Sequence, residues 1–244
     1  MSEKNNGFDI LIPYHGQYTL VRQLIGNVIL YTKHLPYRIT IIDDGSPNID
    51  FFQALCKSDI VDGVRQNEQK GFGAALNLGI QATKRPWVVL LNSDVIINEI
   101  DWLNKLYDSL IYLNKSGKVG LVSARSDNPP GSLDLLRSDK EKREDIGDMI
   151  VDQALPLFCA LTARKMIEKV GAFKEYPYGW YEDEEYFWRM KVKGYHQGIS
   201  GRAWVQHLGG ATIKELWSNK PELKTIMENN RKKCLNDLKI LFKR

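Results

Sequence analysis

The chain has 244 residues, of which 43% are hydrophobic and 26% charged, and its formal net charge is +4. This composition is ordinary for a soluble globular protein and is sufficient for a core without disulfides or structural metal. Because the charge excess is small and no basic stretch is interleaved with aromatic residues, the sequence argues against a nucleic-acid partner.

Cysteine usage and the start of the chain bear on the compartment. Cys56, Cys159 and Cys234 are odd in number and far apart, which argues against a disulfide framework or a zinc site and favours a reducing cytosol. Residues 1–7 lack the apolar core of a signal peptide, and no run approaches the ~18 apolar residues of a membrane span. We therefore expect a cytoplasmic protein.

Strand and helix patterns alternate along the first part of the chain. Short apolar runs predict the strands, and apolar residues spaced three and four apart predict the helices. In order, they predict a strand at 8–13, a helix through 21–31, a strand at 38–42, a helix around 51–55, a strand at 61–66, a helix at 71–80 and a strand from Trp87. This alternation indicates βαβ units and a mostly parallel sheet, as in a Rossmann-like nucleotide-binding fold.

The strand that begins at Trp87 gives the clearest signal. Its consecutive large apolar residues at 87–91 are typical of a strand buried on both faces. Asn92, Ser93 and Asp94 follow it and are expected at the carboxyl edge of the sheet, where open α/β sheets bind ligands. Asp94 is therefore the first functional candidate, and the alternative is that Ser93 and Asp94 only cap the next turn.

The turns after the other strands exclude two common nucleotide motifs. After the first strand, residues 14–17 read Tyr-His-Gly-Gln and lack the glycine fingerprint of dinucleotide-binding folds, and the sequence has no P-loop. Gly71 and Gly73 open a helix and would either hold a phosphate on backbone N–H groups or serve packing alone. Both interpretations remain open at this point.

The second part of the chain is less regular. A charged and proline-containing stretch at 125–148 predicts a solvated loop, with a mobile lid over a site as the alternative. The elements around it are a helix at 101–113, a strand at 119–123, a strand at 156–161 and a helix at 163–170.

Four consecutive acids, at 182–185, precede aromatic residues at helical spacing. The helix dipole favours acids in a first turn, which would account for them structurally. Four are more than a cap needs, however, and one that is shielded by aromatic rings could act as a general base for a hydroxyl nucleophile. A short strand at 203–207 then ends in His207, a candidate metal ligand beside Asp94, or alternatively a structural histidine.

The C-terminal residues predict an amphipathic basic helix over 223–242, because apolar residues recur there at three and four. We divide the chain into a main domain at 1–213 and this tail at 214–244. The favoured interpretation is that the apolar stripe packs on the main domain or on a second subunit. The alternative is peripheral contact with an anionic membrane.

Several motifs together resemble one family. They lie at 12–15, 42–46, 67–77, 91–94, 171–173, 182–183 and 205–207. In this order they are similar to motifs of the family 2 inverting glycosyltransferases of GT-A fold, of the rhamnosyltransferase-like or polysaccharide-assembly type. The resemblance covers about residues 8–210. It implies an α/β fold with a Rossmann-like, mostly parallel central sheet flanked by helices, a nucleotide-binding half at 1–94, an acceptor half at 95–213 and a C-terminal helix.

The resemblance also implies roles for single residues on the donor side. Asp43 or Asp44 would hydrogen-bond the base or ribose of the nucleotide. The full set expected around the donor is Pro13, Asp43, Asp44, Arg65, Gly71, Asn92 and Ser93.

Metal binding and catalysis are implied in the same way. Asp94 and His207 would hold Mn²⁺ or Mg²⁺ on the donor diphosphate, since such ions prefer oxygen ligands and phosphates. Asp183 would deprotonate the acceptor hydroxyl, which attacks and inverts the anomeric carbon. The chain departs from the family twice: Asn92 replaces the first aspartate of the Asp-x-Asp motif, and Glu185 stands where many relatives carry a second aspartate.

The expected donor is a nucleoside-diphosphate sugar of UDP, dTDP or GDP type, and the expected acceptor is a glycan, glycolipid or protein. A nucleotidyltransferase that makes a nucleotide sugar is a rival, although residues 14–17 offer no cation for its usual glycine-rich loop. The other rival is a catalytically silent nucleotide-sugar-binding subunit, for which Asn92 is the only hint.

Overall fold

The computed structural model describes residues 3–129, 134–138, 145–209 and 222–243. Strands and helices alternate in the first part as the sequence predicts. The elements are β1 Phe8–Tyr14, α1 Tyr18–Tyr31, β2 Tyr37–Asp44, α2 Ile49–Leu55, β3 Val61–Gln66, α3 Phe72–Ala82 and β4 Trp87–Leu91.

The second part adds shorter strands and the remaining helices. Its elements are β5 Val95–Ile96, α4 Trp102–Ser116, β6 Val119–Ser126, β7 Met149–Val151, β8 Cys159–Ala163, α5 Arg164–Val170, α6 Glu182–Val192, β9 His196–His207 and α7 Leu223–Leu241.

The central sheet has the order β3-β2-β1-β4-β8-β6-β9-β5, with β7 paired to β9. The strands β1 to β4 are all parallel. Beyond them, β8 runs antiparallel to both β4 and β6, while β6 and β9 are parallel. The carboxyl ends of β1, β2 and β4 therefore meet at one edge.

Burial of β1 and β4 explains why their sequences are almost continuously apolar. Every residue of both strands is buried. Ile10 and Val89 pack in the hydrophobic cluster on one face of the sheet, while Leu11 and Leu90 pack in the cluster on the other. Burial on both faces removes the alternating pattern of a half-exposed strand.

The structure differs from the sequence predictions mainly in the second part. β8 begins at Cys159 and not at Pro156, whose ring nitrogen carries no N–H for a strand ladder. β9 begins at His196, seven residues before the predicted strand, because Gly198 and Gly201 interrupt its apolar pattern. A Cβ at Gly201 would overlap the backbone of Gly147, so the strand needs glycine there.

The stretch predicted as a solvated loop lies partly outside the described residues. Of its described part, Leu136 is fully buried, and the Ser138 N–H donates to the Ser126 carbonyl at 2.8 Å. The Arg125 guanidinium donates to the Arg137 carbonyl at 2.9 Å. Residues 134–138 thus pack against the end of β6.

The helix α7 packs on the main domain through its apolar stripe. Cys234 and Leu238 of α7 form a small buried cluster with Tyr176. Tyr181 and Trp188, the latter on α6, pack against this cluster. Within the described ranges, we find no helix whose length and hydrophobicity would let it cross a bilayer.

Candidate active site

A cleft of about 550 Å³ opens at the carboxyl ends of β1, β2 and β4, a volume suited to a small ligand. Its walls come from both halves of the chain. The predicted site residues that line it are Pro13, Asp44, Gly71, Asn92, Ser93, Asp94, Asp183 and His207. Eight of the ten predicted site residues thus lie along one cleft, although they are up to 194 positions apart in the chain, from Pro13 to His207.

Asp43 and Arg65 do not line the cleft. The fully buried Asp43 carboxylate pairs with the Arg65 guanidinium and accepts the Ser46 N–H at 2.8 Å. Arg65 also donates to the Ser46 carbonyl at 2.8 Å. The ion pair between Asp43 and Arg65 stabilises the turn after β2. Of the two adjacent aspartates, Asp44 is the one that lines the cleft.

Asp44 anchors the start of α3. Its carboxylate accepts the N–H groups of Lys70 at 2.8 Å and Gly71 at 2.9 Å, and the Gln66 side-chain amide at 2.8 Å. Burial raises the pKa of Asp44 above its ordinary value, although these hydrogen bonds oppose the shift.

Close packing accounts for the two glycines at this helix start. Gly71 has φ +103°, and a Cβ there would lie 2.5 Å from the Tyr176 carbonyl oxygen and 2.6 Å from the Gly179 nitrogen. A Cβ at Gly73 would overlap the Lys174 carbonyl. The Gly71 N–H already donates to the Asp44 carboxylate. Close packing and the positive φ therefore explain why the residue is glycine, without a bound phosphate.

Asp94 and His207 form a buried pair at the ends of adjacent antiparallel strands. Val95 pairs with His207 in the sheet, and the Leu208 N–H donates to the Asp94 carbonyl at 3.0 Å. The Nε2 atom of His207 lies 3.2 Å from Oδ1 of Asp94. Burial lowers the pKa of His207, but Asp94 and the Asn128 carbonyl raise it, and the net shift is upward.

This pair fits a divalent cation. The Nδ1 atom of His207 lies 2.8 Å from the Asn128 carbonyl oxygen, so a proton on Nδ1 leaves the Nε2 lone pair free to bind a metal. Bonds of about 2.1 Å in octahedral geometry place neighbouring ligand atoms roughly 3 Å apart, which matches the 3.2 Å separation of the two atoms. The described residues contain no group of three or more His, Cys, Asp or Glu that could hold a metal, so phosphates and water would complete the shell.

The charges around the cleft also favour a cation. Among the described residues, no Lys or Arg lines the cleft, whereas four carboxylates do: Asp44, Asp94, Glu182 and Asp183. A diphosphate carries negative charge, and carboxylates without a counter-ion would repel it.

Two of the four acids that begin α6 face the cleft. Glu182 and Asp183 line it, and burial raises the pKa of both; the Asp183 charge adds to the shift of Glu182. The Asp183 carboxylate accepts the Glu184 N–H at 2.8 Å. The buried Oε2 of Glu182 has no hydrogen-bond partner within the described part of the chain.

Glu185 has a structural role. Its carboxylate receives two contacts from Nε of Arg189, at 2.7 and 2.8 Å. Arg189 in turn donates to the carbonyls of Val170 at 3.0 Å and Ala172 at 2.8 Å. The acid that departs from the family pattern therefore links α6 to the end of α5 and does not line the cleft.

Sequence reasoning missed part of the wall. His15 lines the cleft, and its Nδ1 lies 2.8 Å from the Asp44 carbonyl oxygen. Its place directly after the first strand was the available signal. The aromatic residues Phe72, Tyr178, Trp180 and Tyr181 also line the cleft. Trp180, Tyr181 and Trp188 were the rings predicted to shield the acidic run. Trp180 and Tyr181 line the cleft, but Trp188 packs against the cluster of Tyr176, Cys234 and Leu238 instead.

A family model described as "Glycosyl transferase family 2" matches residues 9–171. A search of curated proteins finds no match. Asp183 and His207 lie beyond the matched segment, so the family match by itself says nothing about them.

Three solved structures share the fold at low sequence identity. The mannosyltransferase PcManGT from Pyrobaculum calidifontis, in complex with GDP-Man and Mn²⁺, has TM-score 0.65 and 17% identity, over 86% of this chain and 59% of that chain. GalNAc-T7 with UDP, GalNAc and Mn²⁺ has TM-score 0.61 and 14% identity, over 82% of this chain and 43% of that chain. S. aureus TarS 1–349 has TM-score 0.58 and 12% identity, over 82% of this chain and 60% of that chain. The chain thus spans between two fifths and three fifths of these relatives, and the likeness confirms the GT-A fold.

Proposed function

Since this chain belongs to glycosyl transferase family 2, as the resemblance predicted, we propose that it transfers a sugar from a nucleoside diphosphate to an acceptor hydroxyl. The transfer inverts the anomeric carbon and serves polysaccharide, glycolipid or glycoprotein assembly. The observation that carries the proposal is that one cleft brings the Asp94 and His207 pair together with Asp183.

The donor lies against the first half of the chain in this proposal. Asp44, Pro13 and the turn at 92–94 hold the nucleoside diphosphate, with the Asp43 and Arg65 ion pair fixing the turn after β2 from behind. Asp94 and His207 would hold Mn²⁺ or Mg²⁺. When bound, this ion neutralises charge that develops on the leaving diphosphate. Support comes from the relatives solved with GDP-Man and Mn²⁺ and with UDP and Mn²⁺.

Asp183 acts as the base. Its raised pKa makes the carboxylate a better proton acceptor near neutral pH than an ordinary aspartate. The acceptor hydroxyl gives its proton to Asp183 while its oxygen bonds to the anomeric carbon. The bond from that carbon to the diphosphate oxygen breaks, and the nucleoside diphosphate leaves with the electron pair. A single displacement of this kind inverts the carbon.

A panel of nucleotide sugars tests the proposal. We expect one class among UDP, GDP and dTDP sugars to bind and to release its nucleoside diphosphate slowly to water, only with Mn²⁺ or Mg²⁺ present. Calorimetry and a nucleotide-release assay measure the two steps, and the Asp183→Asn variant is the control for contaminating hydrolases.

The same panel separates the rivals. Formation of pyrophosphate from a nucleoside triphosphate and a sugar phosphate would assign the chain as a nucleotidyltransferase. Donor binding without turnover on any acceptor would assign it as a silent binding subunit. The absence of Lys and Arg from the described cleft wall disfavours the nucleotidyltransferase, whose triphosphate substrate carries more negative charge.

We further propose that the outer face of α7 contacts an anionic membrane, which would bring the cleft to a lipid-linked acceptor. Leu235 and Ile240 are 47% and 57% exposed, and Lys232 and Lys239 are exposed on the same helix. Each surface Lys contributes on the order of 1 kcal/mol at such a membrane.

Sedimentation with vesicles tests this contact. The chain should pellet with anionic vesicles but not with neutral ones, and salt should release it. An Ile240→Ser, Lys239→Ser variant should bind less. Binding that is absent or insensitive to salt would contradict the contact, and self-association through the same face would indicate a homodimer instead.

A further inference from the structure

The residues directly before the two cleft carboxylates have an unusual backbone. Tyr178, Gly179, Trp180 and Tyr181 all have positive φ, at +62°, +98°, +69° and +75°. Only one of the four is glycine. A non-glycine residue in this conformation is strained, and it persists only where its surroundings impose it.

One side of this segment is fixed by the start of α3. The backbone of Gly71 approaches the Tyr176 carbonyl and the Gly179 nitrogen so closely that no side chain fits at position 71. The Gly179 N–H donates to the Tyr176 carbonyl at 2.9 Å and closes the turn between them.

The other side is fixed by α7. The side-chain amide of Asn230 donates to the Pro177 carbonyl at 2.8 Å and to the Gly179 carbonyl at 2.9 Å. Asn230 is only 3% exposed, so its amide has little access to water. Both of its N–H groups are therefore satisfied, one by the residue directly before the positive-φ segment 178–181 and one within it.

Other residues of α7 contact the chain between Glu175 and Tyr181. The exposed Lys233 ammonium donates to the Glu175 carbonyl at 2.8 Å, and the Tyr176 hydroxyl donates to Asp237 at 3.2 Å. The Cys234 thiol lies 3.9 Å from the Tyr181 carbonyl. Asn230 makes the most deeply buried polar contact of this group.

The position of Asn230 on α7 indicates that the amide is there for these contacts. It falls on the buried stripe of the helix, between Leu223 and Cys234. Burying an amide costs free energy unless its hydrogen bonds with water are replaced by hydrogen bonds within the protein. An apolar residue at this position would be buried without that cost.

We propose that Asn230 is a positioning residue: by clamping residues 177 and 179, it holds the left-handed segment 178–181 and so sets the place of Glu182 and Asp183 in the cleft. The inference rests on the proposed function for its effect on turnover. It extends the site to α7, which lies outside the family match at 9–171.

The test compares Asn230→Ala with Asn229→Ala, a matched control because Asn229 is the exposed neighbour on the same helix. Hydrogen exchange of the peptide covering 176–183 should become faster in Asn230→Ala and stay unchanged in Asn229→Ala. Turnover of folded Asn230→Ala should fall roughly 10- to 100-fold, with donor affinity within about twofold of wild type, because small misplacement of a catalytic group costs rate.

A second variant, Asn230→Gln, keeps the amide and should recover part of both effects. If Asn230→Ala does not fold, Asn230→Gln is compared with wild type by the same two measurements.

The two readouts separate the possible failures. Unchanged exchange at 176–183 overturns the clamp. Faster exchange with unchanged turnover and pH profile overturns the positioning role, because a merely structural contact would give that result. If wild type turns over no donor, the proposed function fails, and the exchange data alone decide whether Asn230 holds the segment.

Discussion

The Asp183→Asn variant is expected to lower the rate of sugar transfer by ~10²- to 10⁴-fold, the usual cost of losing a general base. The amide keeps the shape of the carboxylate but cannot accept the proton. Donor affinity should be unchanged, because Asp183 is not among the residues that hold the donor in the proposed arrangement. Steady-state kinetics and donor calorimetry measure the two quantities.

The pH dependence of wild type provides a second readout. The base must be ionised, so activity should be lost as pH falls through the pKa of Asp183. Burial raises that pKa, and the acid limb of the rate profile should therefore lie above the ordinary aspartate value of about 3.9. Glu184→Gln is the control for the loss of rate, since Glu184 does not line the cleft. Because the Glu184 charge helps to raise the pKa of Asp183, this variant should keep its maximal rate and move the acid limb to lower pH. If Asp183→Asn turns over near the wild-type rate, the base must be Glu182.

Asp94→Ala and His207→Ala are each expected to weaken the Mn²⁺-dependent part of donor binding by about 10- to 100-fold or more. Removing a residue that only supports a metal ligand already costs about 10- to 100-fold in metal affinity, and these two residues are proposed as the ligands themselves. The pair supplies the two protein atoms that fit the ion, 3.2 Å apart. Calorimetry with and without Mn²⁺ measures the effect, and turnover should fall in parallel.

His196→Ala is the matched control for this experiment, because His196 starts the strand that His207 ends. Its metal dependence should equal that of wild type. Unchanged metal dependence in both Asp94→Ala and His207→Ala would exclude the pair as the cation site.

The first half of the fold was predictable because its signals are local. The continuous apolar run of β4 follows from burial on both faces, and its carboxyl end then places Asp94 at the sheet edge. β5, with two residues, and β7, with three, are too short for any periodicity to appear. The assignment of Asp43 to the donor side could not be refined from sequence, because its pairing with Arg65 depends on how β2 and β3 align.

The positive-φ conformation of the segment 178–181 could not be predicted from the sequence for a different reason. Tyr178, Trp180 and Tyr181 are poor candidates for positive φ, and local preference predicts the opposite. The conformation comes from contacts with residues far along the chain, Gly71 on one side and Asn230 on the other. An asparagine on an apolar helix stripe signals that a partner exists but does not identify it.

The two walls of the cleft are built on different supports. Asp44 ends β2 and Asp94 comes shortly after β4, and both strands lie in the interior of the central sheet. The segment 176–183 is held by the start of α3 on one side and by side chains of α7 on the other. Under the proposed function, substitutions in α7 can reshape the acceptor wall while the donor wall stays in place. Under the proposed function, substitutions confined to α7 would therefore change acceptor choice independently of donor choice.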